Sequence, residues 1–120
     1  MLGKSGVNDC YHRSFFYCTG ISEITRANIN KLYDFKRGCA EPGGLHGAWQ
    51  TGSTIRLTRL ALNLWNGYTE QGGEQLSAPY ELFSCEYAPY FYEAIKLRFP
   101  EYCRELPVNK TDVVRIRQER

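Results

Sequence analysis

The sequence has few histidines and no paired cysteine motif, which argues against a metal centre. Its 120 residues include two His and five Cys. The cysteines are Cys10, Cys18, Cys39, Cys85 and Cys103, and no two of them form a CxxC motif. Zinc sites draw their Cys and His ligands from short, recurrent spacings, which are missing here. We therefore expect no metal ion and no cofactor, and the odd number of cysteines favours reduced thiols in the cytoplasm.

Long apolar runs and an excess of one charge are also absent. No stretch approaches the roughly 20 apolar residues of a membrane-spanning helix, and residues 1–8 lack the apolar run of a secretory signal. The sequence carries 15 basic and 13 acidic residues, a near balance that gives no general field for binding a polyanion. We expect a cytoplasmic protein that makes no membrane contact.

Aromatic residues are abundant, at 14% of the sequence, with nine Tyr and six Phe. Hydrophobic residues make up 42%, which is ordinary for a globular protein. A tyrosine can bury its ring and keep its hydroxyl in water, so it suits both a small core and a binding surface. The composition predicts one domain with a real hydrophobic core.

Residues 49–68 form the longest segment that predicts a single element, the central helix. It is expected to start at Thr51 or Ser53 and to end at Asn66, with Gly67 just past the end. Its core face is marked by residues at helical spacing, namely Leu57, Leu60, Ala61 and Leu64. The other elements are expected to pack around this face.

Further helices are predicted before and after the central one. The first spans residues 10–19, is capped by Asp9, and carries His12 on its outer side. The second runs from a cap at Ser22 to about Phe35. A short helical turn at residues 79–83 and a last helix at residues 86–99 follow. Most of residues 36–53 is predicted as a Gly-rich loop, and a short helical turn around residues 46–50 is left open as an alternative.

The predicted fold is therefore all-α, a small single-domain helical bundle of three or four main helices with a Gly-rich loop before the central helix. Residues 1–8 are expected to be a flexible lead-in, 9–105 the helical domain and 106–120 an extended or disordered tail.

A polar stripe on the central helix is the first candidate binding site. Its members, at positions i, i+3, i+7 and i+10, are Arg56, Arg59, Asn63 and Asn66. Guanidinium groups bind carboxylates and phosphates through two parallel hydrogen bonds. The stripe could bind a partner's acidic patch, a nucleotide or a phosphate backbone. Two alternatives stay open: the stripe is a solvated helix face, or its arginines pair internally with Glu81, Glu86 or Glu93.

The Gly-rich loop holds the second candidate site, formed by His46, Trp49 and Gln50. Exposed aromatic and imidazole side chains beside glycines are typical of a binding edge. The alternative is that Trp49 simply fills a gap in the core. No nucleophile–base or acid–base constellation is present, so we expect a protein without enzymatic activity.

Several strings of the sequence resemble one family of small proteins of unknown function. They are YHRSFFYCTGI (11–21), NKLYDFK (30–36), GLHGAWQTG (44–52), RLALNLWNGY (59–68) and APYFYEAIKLRFPEYC (88–103). The resemblance implies that the gene is carried on conjugative elements and phages of gut-type bacteria. It implies no catalytic residues.

This context favours a host-defence inhibitor of the anti-CRISPR or antirestriction type, which would bind a defence protein or nucleoprotein. Two other functions stay open. One is a small-ligand binder that sequesters a nucleotide immune signal, and the other is a nucleic-acid-binding accessory protein for element transfer. The oligomeric state is not fixed by the sequence.

Overall fold

The computed structural model describes residues 9–103, and these residues form a mostly helical domain with one two-stranded sheet. The α-helices are α1 (Cys10–Gly20), α2 (Glu23–Ala27), α3 (Ile29–Leu32), α4 (Gly52–Asn66), α5 (Pro79–Leu82) and α6 (Ala88–Arg98). The strands are β1 (Tyr33–Asp34) and β2 (Cys39–Ala40), and two 3-10 helices span Pro42–His46 and Glu74–Ser77. The predicted lead-in at 1–8 and tail at 106–120 lie outside the described residues.

The central helix α4 has the ends that the sequence predicted. The side chain of Thr51 accepts a hydrogen bond from the backbone N–H of Thr54, and the Thr54 hydroxyl accepts one from the backbone N–H of Thr51. This reciprocal capping satisfies amide groups that a helix start leaves unpaired. At the other end Gly67 adopts a left-handed conformation, with φ at 78°, which terminates the helix.

One face of α4 forms the centre of the core. Its buried side chains include Leu57, Leu60, Ala61, Leu62 and Leu64, so the predicted core face is confirmed. Helices α1 and α6 both pack against α4 and against each other. Their contribution to the core includes Phe15, Phe16, Cys18, Phe91 and Ala94.

Helix α1 begins where Asp9 caps it, as predicted, but its buried face is wider than expected. The Asp9 carboxylate accepts a hydrogen bond from the backbone N–H of His12 at 2.9 Å. The prediction that His12 lies on the outer side is wrong, because His12 is only 9% exposed. Its ring packs edge-on against Trp65, with the ring centroids 4.6 Å apart.

The predicted second helix is broken and short. It starts at the cap Ser22, as expected, but α2 stops at Asn28. The Asn28 side-chain amide donates to the carbonyl of Ile24 at 2.8 Å, and such local bonds compete with the helical ladder. After the short α3 the chain is extended at Tyr33 (φ −142°, ψ 129°), whose fully buried ring joins the aromatic core.

The segment predicted as a Gly-rich loop has its own secondary structure. Strand β2 pairs with β1 in an antiparallel register, Tyr33 opposite Ala40 and Asp34 opposite Cys39. The 3-10 helix Pro42–His46 then packs against α3. The prediction of one irregular loop is therefore corrected to a hairpin followed by a 3-10 helix.

Helix α6 carries Pro89 in its first turn, where the missing N–H costs nothing. Near its end, the guanidinium of Arg98 donates from Nε to the carbonyl of Leu64 at 2.8 Å and lies 4.0 Å from the centre of the Tyr11 ring. Arg98 thereby joins the ends of three helices. Within residues 9–103, none of the helices has both the length and the apolar character required to cross a bilayer.

Candidate functional site

The arginines of the polar stripe are engaged within the fold. Arg59 forms an ion pair with Glu70, with Nε 2.9 Å from Oε1, and the two side chains are only 14% and 17% exposed. Arg56 donates from Nε to the carbonyl of Glu81 at 3.0 Å and from a terminal nitrogen to the carbonyl of Gly52 at 2.9 Å. The arginines are thus bonded within the protein, as one of the alternatives expected. The carboxylate that pairs with Arg59 is Glu70, and not Glu81, Glu86 or Glu93.

Glu86 lies near the start of α4. A hydrogen bond from the Ser53 side chain holds the pKa of Glu86 below its ordinary value, and the positive charge of Arg56 adds to this effect. The start of α4 is therefore a polar junction between Arg56, Ser53 and Glu86.

The asparagines of the stripe stabilise the turn after α4. The Asn63 amide donates to the carbonyl of Tyr68 at 3.2 Å, and the Asn66 side-chain oxygen accepts from the backbone N–H of Tyr68 at 3.1 Å. All four stripe side chains thus bond to the protein itself. A role of the stripe in binding stays a prediction.

Glu70 connects the two groups of candidate residues. Its second carboxylate oxygen, Oε2, lies 3.0 Å from Nε2 of His46, whose side chain is 66% exposed. A single carboxylate therefore holds Arg59 of α4 on one side and His46 of the 3-10 helix on the other. Sequence reasoning missed Glu70, because it lies in a turn whose path relative to α4 no local pattern reveals.

Gln50 anchors the segment between the 3-10 helix and α4. Its amide nitrogen donates to the carbonyl of Gly44 at 3.1 Å and to the hydroxyl of Thr58 at 3.0 Å. Its amide oxygen accepts from the hydroxyl of Thr54 at 2.7 Å. Gln50 is thus a supporting residue beneath the segment rather than a contact on its surface.

Two glycines let this segment pack closely. A Cβ at Gly44 would collide with the backbone carbonyl of Lys31, and a Cβ at Gly47 would collide with the Trp49 indole. The Trp49 ring therefore lies close to the Gly47 backbone. Its Nε1 is buried and has no hydrogen-bond partner among residues 9–103.

An open cleft of about 540 Å³ lies along the outer side of this segment. It is lined by Lys31, Gly43, Gly44, Gly47, Ala48 and Trp49. Gly43, Ala48 and Lys31 are exposed, whereas Trp49 is half-buried and packs against the core. One part of Trp49 therefore packs inward and another part lines the surface, and its role in binding stays a prediction. We refer to this feature as the Trp49 cleft.

A half-buried Asp–His pair at the start of α1 is the second polar feature that the sequence did not reveal. The His12 Nδ1 lies 3.0 Å from both carboxylate oxygens of Asp9. Burial raises the pKa of Asp9, but the hydrogen bonds from His12 outweigh it and leave that pKa below its ordinary value of 3.8. The His12 Nε2 is buried and has no partner among the described residues, and His12 does not line the Trp49 cleft. The pair therefore caps the start of α1.

Several aromatic side chains on α6 and just after it are exposed. They are Tyr90, Tyr92, Phe99 and Tyr102, between 38% and 83% exposed. Two further clefts of about 180 and 400 Å³ lie beside α6, and neither these nor the Trp49 cleft is lined by Arg56 or Arg59. Among residues 9–103, no group of three His, Cys, Asp or Glu is placed to hold a metal ion.

The fold and its surface define a small, mostly helical domain with a fixed glycine-rich edge beside a tryptophan. The chain belongs to a family of unknown function, DUF6075, which matches residues 1–111. The resemblance to an uncharacterised family is thereby confirmed at that level. No curated protein and no solved structure matches the chain.

Proposed function

We propose that the protein is a non-enzymatic, cytoplasmic accessory protein of a mobile element or phage that inhibits host defence by binding a defence protein through the Trp49 cleft. One observation carries this proposal. The segment Pro42–His46 and the residues up to Gln50 are fixed from below while their outer side is open.

The fixed position of the cleft favours binding because less conformational entropy is lost when the partner docks. Gln50 ties the segment to Thr54 and Thr58 of α4, and Glu70 ties His46 to Arg59. The exposed side chains of the cleft are therefore presented by a backbone that is held at two points. Such support is typical of binding sites whose geometry must be kept.

The lining of the cleft indicates the chemistry of the partner. Trp49 offers an apolar aromatic surface. Among residues 9–103, the rest of the lining is Lys31, which is charged, together with glycine and alanine. Tryptophan is strongly enriched among the residues that dominate binding energy. A protein segment that places an acidic side chain next to an apolar one fits this lining.

The two other functions have less support. A nucleotide binder would need guanidinium groups on a cavity wall, but Arg56 and Arg59 bond to the protein itself. Binding of a nucleic acid backbone needs several basic residues on one surface, whereas the described part of the chain contributes one basic residue, Lys31, to the Trp49 cleft. Both functions remain outcomes of the experiment below.

The experiment compares the protein with Ala48→Glu, which places a long charged side chain in the Trp49 cleft from an exposed position. The matched control is Ala27→Glu, at an exposed alanine on α2, away from that cleft. Each protein is used to capture host proteins from a lysate for mass spectrometry and is assayed for inhibition of phage defence. Bound small molecules are extracted in parallel.

We expect the protein and Ala27→Glu to capture the same defence protein and to inhibit defence, and Ala48→Glu to lose at least about tenfold in affinity. Equal capture by Ala48→Glu would refute the role of the cleft. Recovery of a stoichiometric nucleotide, or of nucleic acid without a protein, would refute the protein-binding function in favour of the corresponding alternative.

A further inference from the structure

The outer face of α6 has a charge and shape pattern that is complementary to itself. Pro89, Tyr92, Glu93 and Lys96 follow one another at positions i, i+3, i+4 and i+7, which places them on one side of a helix. Pro89, Tyr92 and Glu93 are exposed and Lys96 is half-buried. Glu93 and Lys96 lie one helical turn apart and form an ion pair of 3.0 Å within the helix.

We propose that this α6 face binds a second copy of the chain in an antiparallel, two-fold symmetric dimer. In a two-fold interface the same patch is used by both copies, so each residue must meet a complement on the partner copy. The two-fold axis would run between the two α6 helices, level with the midpoint of residues 94 and 95. It then places Glu93 opposite Lys96 of the second copy, and Lys96 opposite its Glu93. The two charges can thus pair between copies as they do within one.

The flanks of the face fit the same arrangement. The same axis brings Tyr90, which is 50% exposed, beside the half-buried Leu97 of the second copy. The other flank of the dimer interface would carry both Tyr92 rings, one from each copy, and Tyr92 is 57% exposed. Tyrosine is enriched in protein interfaces because its ring is apolar and its hydroxyl stays wet.

The charge pattern distinguishes a second copy from an unrelated partner. In an antiparallel pair of identical helices, the glutamate of each copy faces the lysine of the other, which gives two ion pairs. In a parallel pair, like charges would face each other. A dimer that used one helix face of each copy would bury an interface area at the lower end of the range for stable dimers. We therefore expect a dimer that forms reversibly with rising protein concentration.

The test measures molar mass by sedimentation equilibrium over a wide concentration series. The full chain is compared with Lys96→Glu, with Glu93→Lys, and with an equal mixture of the two. The matched controls are Arg26→Glu and Glu23→Lys, which reverse the charges of another i,i+3 pair, Glu23 and Arg26 on α2. Far-ultraviolet circular dichroism checks that each variant is folded.

We expect the full chain and both controls to dimerise and each α6 variant to associate at least about tenfold more weakly, because like charges then face each other. The mixture of Lys96→Glu and Glu93→Lys should recover dimerisation, since every charge at position 93 or 96 of one variant then faces an opposite charge on the other variant. A full chain that stays monomeric throughout, α6 variants that dimerise like the controls, or a mixture without recovery would each overturn the proposal.

Discussion

At the scale of single residues, Glu70 has the largest structural role for a residue that no sequence pattern marked. Its carboxylate accepts the Arg59 guanidinium at 2.9 Å and the His46 imidazole at 3.0 Å, and it is only 17% exposed. Because the ion pair is largely shielded from water, removing one partner leaves a poorly solvated charge on the other. Glu70 therefore holds the turn after α4 and the 3-10 helix in one arrangement.

We predict that Glu70→Gln destabilises the protein by about 1–3 kcal/mol, because the largely buried Arg59 loses its counter-charge. The control is Glu74→Gln, at an exposed residue whose carboxylate accepts a hydrogen bond from the backbone N–H of Gly72 at 3.3 Å. Urea denaturation of both variants measures the difference. Equal midpoints for the two variants would show that the Arg59–Glu70 pair contributes nothing to stability.

The lowered pKa of Asp9 predicts that the protein loses stability at acid pH. Because its pKa in the folded protein lies below 3.8, the folded state favours the ionised carboxylate. The resulting stabilisation is present above pH 3.8 and is lost as the pH falls through the lower folded-state pKa. The effect should stay below about 1 kcal/mol, since nearly half of the Asp9 side chain is exposed and solvent screens it.

Asp9→Asn tests this contribution, because asparagine remains a good N-cap while it cannot ionise. We expect the variant to be slightly less stable near neutral pH and to lose less stability than the unaltered protein on acidification. Denaturation midpoints measured along a pH series give both quantities. Parallel pH profiles for the two proteins would mean that the Asp9–His12 contact does not favour the ionised carboxylate.

At the scale of elements, the sequence predicted helix ends where a side chain or glycine creates them locally. Asp9, Ser22, Thr51 and Gly67 were identified because capping depends on residue type and on neighbours within one turn. The end of the second helix was missed because Asn28 breaks it through its own side chain. The short strand at Tyr33 was missed because it depends on pairing with Ala40 and on burial of the Tyr33 ring, which are tertiary contacts.

The two adjacent glycines of the 3-10 helix give a prediction at this scale. Gly44 packs so closely on α3 that a methyl group would meet the Lys31 carbonyl, whereas a methyl group at Gly43 would meet nothing within 4 Å. We expect Gly44→Ala to cost about 1–3 kcal/mol, because the backbone contact must open. Gly43→Ala should be close to neutral.

Thermal unfolding of the two alanine variants measures this difference. Capture of the host partner should also fall for Gly44→Ala, since the displaced 3-10 helix forms part of the Trp49 cleft. Equal melting temperatures for Gly43→Ala and Gly44→Ala would contradict the close packing of this segment against α3.

At the scale of the whole molecule, the core and the binding surface depend on α4 in different ways. Its leucine face was predictable from periodicity alone, since Leu57, Leu60 and Leu64 must face one way on any helix. The role of its polar face was not predictable, because that depends on where the chain returns after Gly67 and places Glu70. The polar stripe thus bonds within the fold, and one of the open clefts of the described residues lies beside Trp49.

Because the polar face of α4 and the Trp49 cleft have different roles, variants at the two places should differ in stability and in capture of the partner. Arg56→Glu combined with Arg59→Glu places a new carboxylate against Glu70 and removes two bonds to backbone carbonyls. We expect it to lower stability by about 3 kcal/mol or more, and any loss of partner capture to follow the loss of folded protein. Ala48→Glu should keep its stability within about 0.5 kcal/mol and lose capture. Melting temperature and capture are measured for both proteins. A double arginine variant that folds with normal stability and yet fails to capture the partner would return the binding site to the polar face of α4, because only a direct contact could then explain the loss.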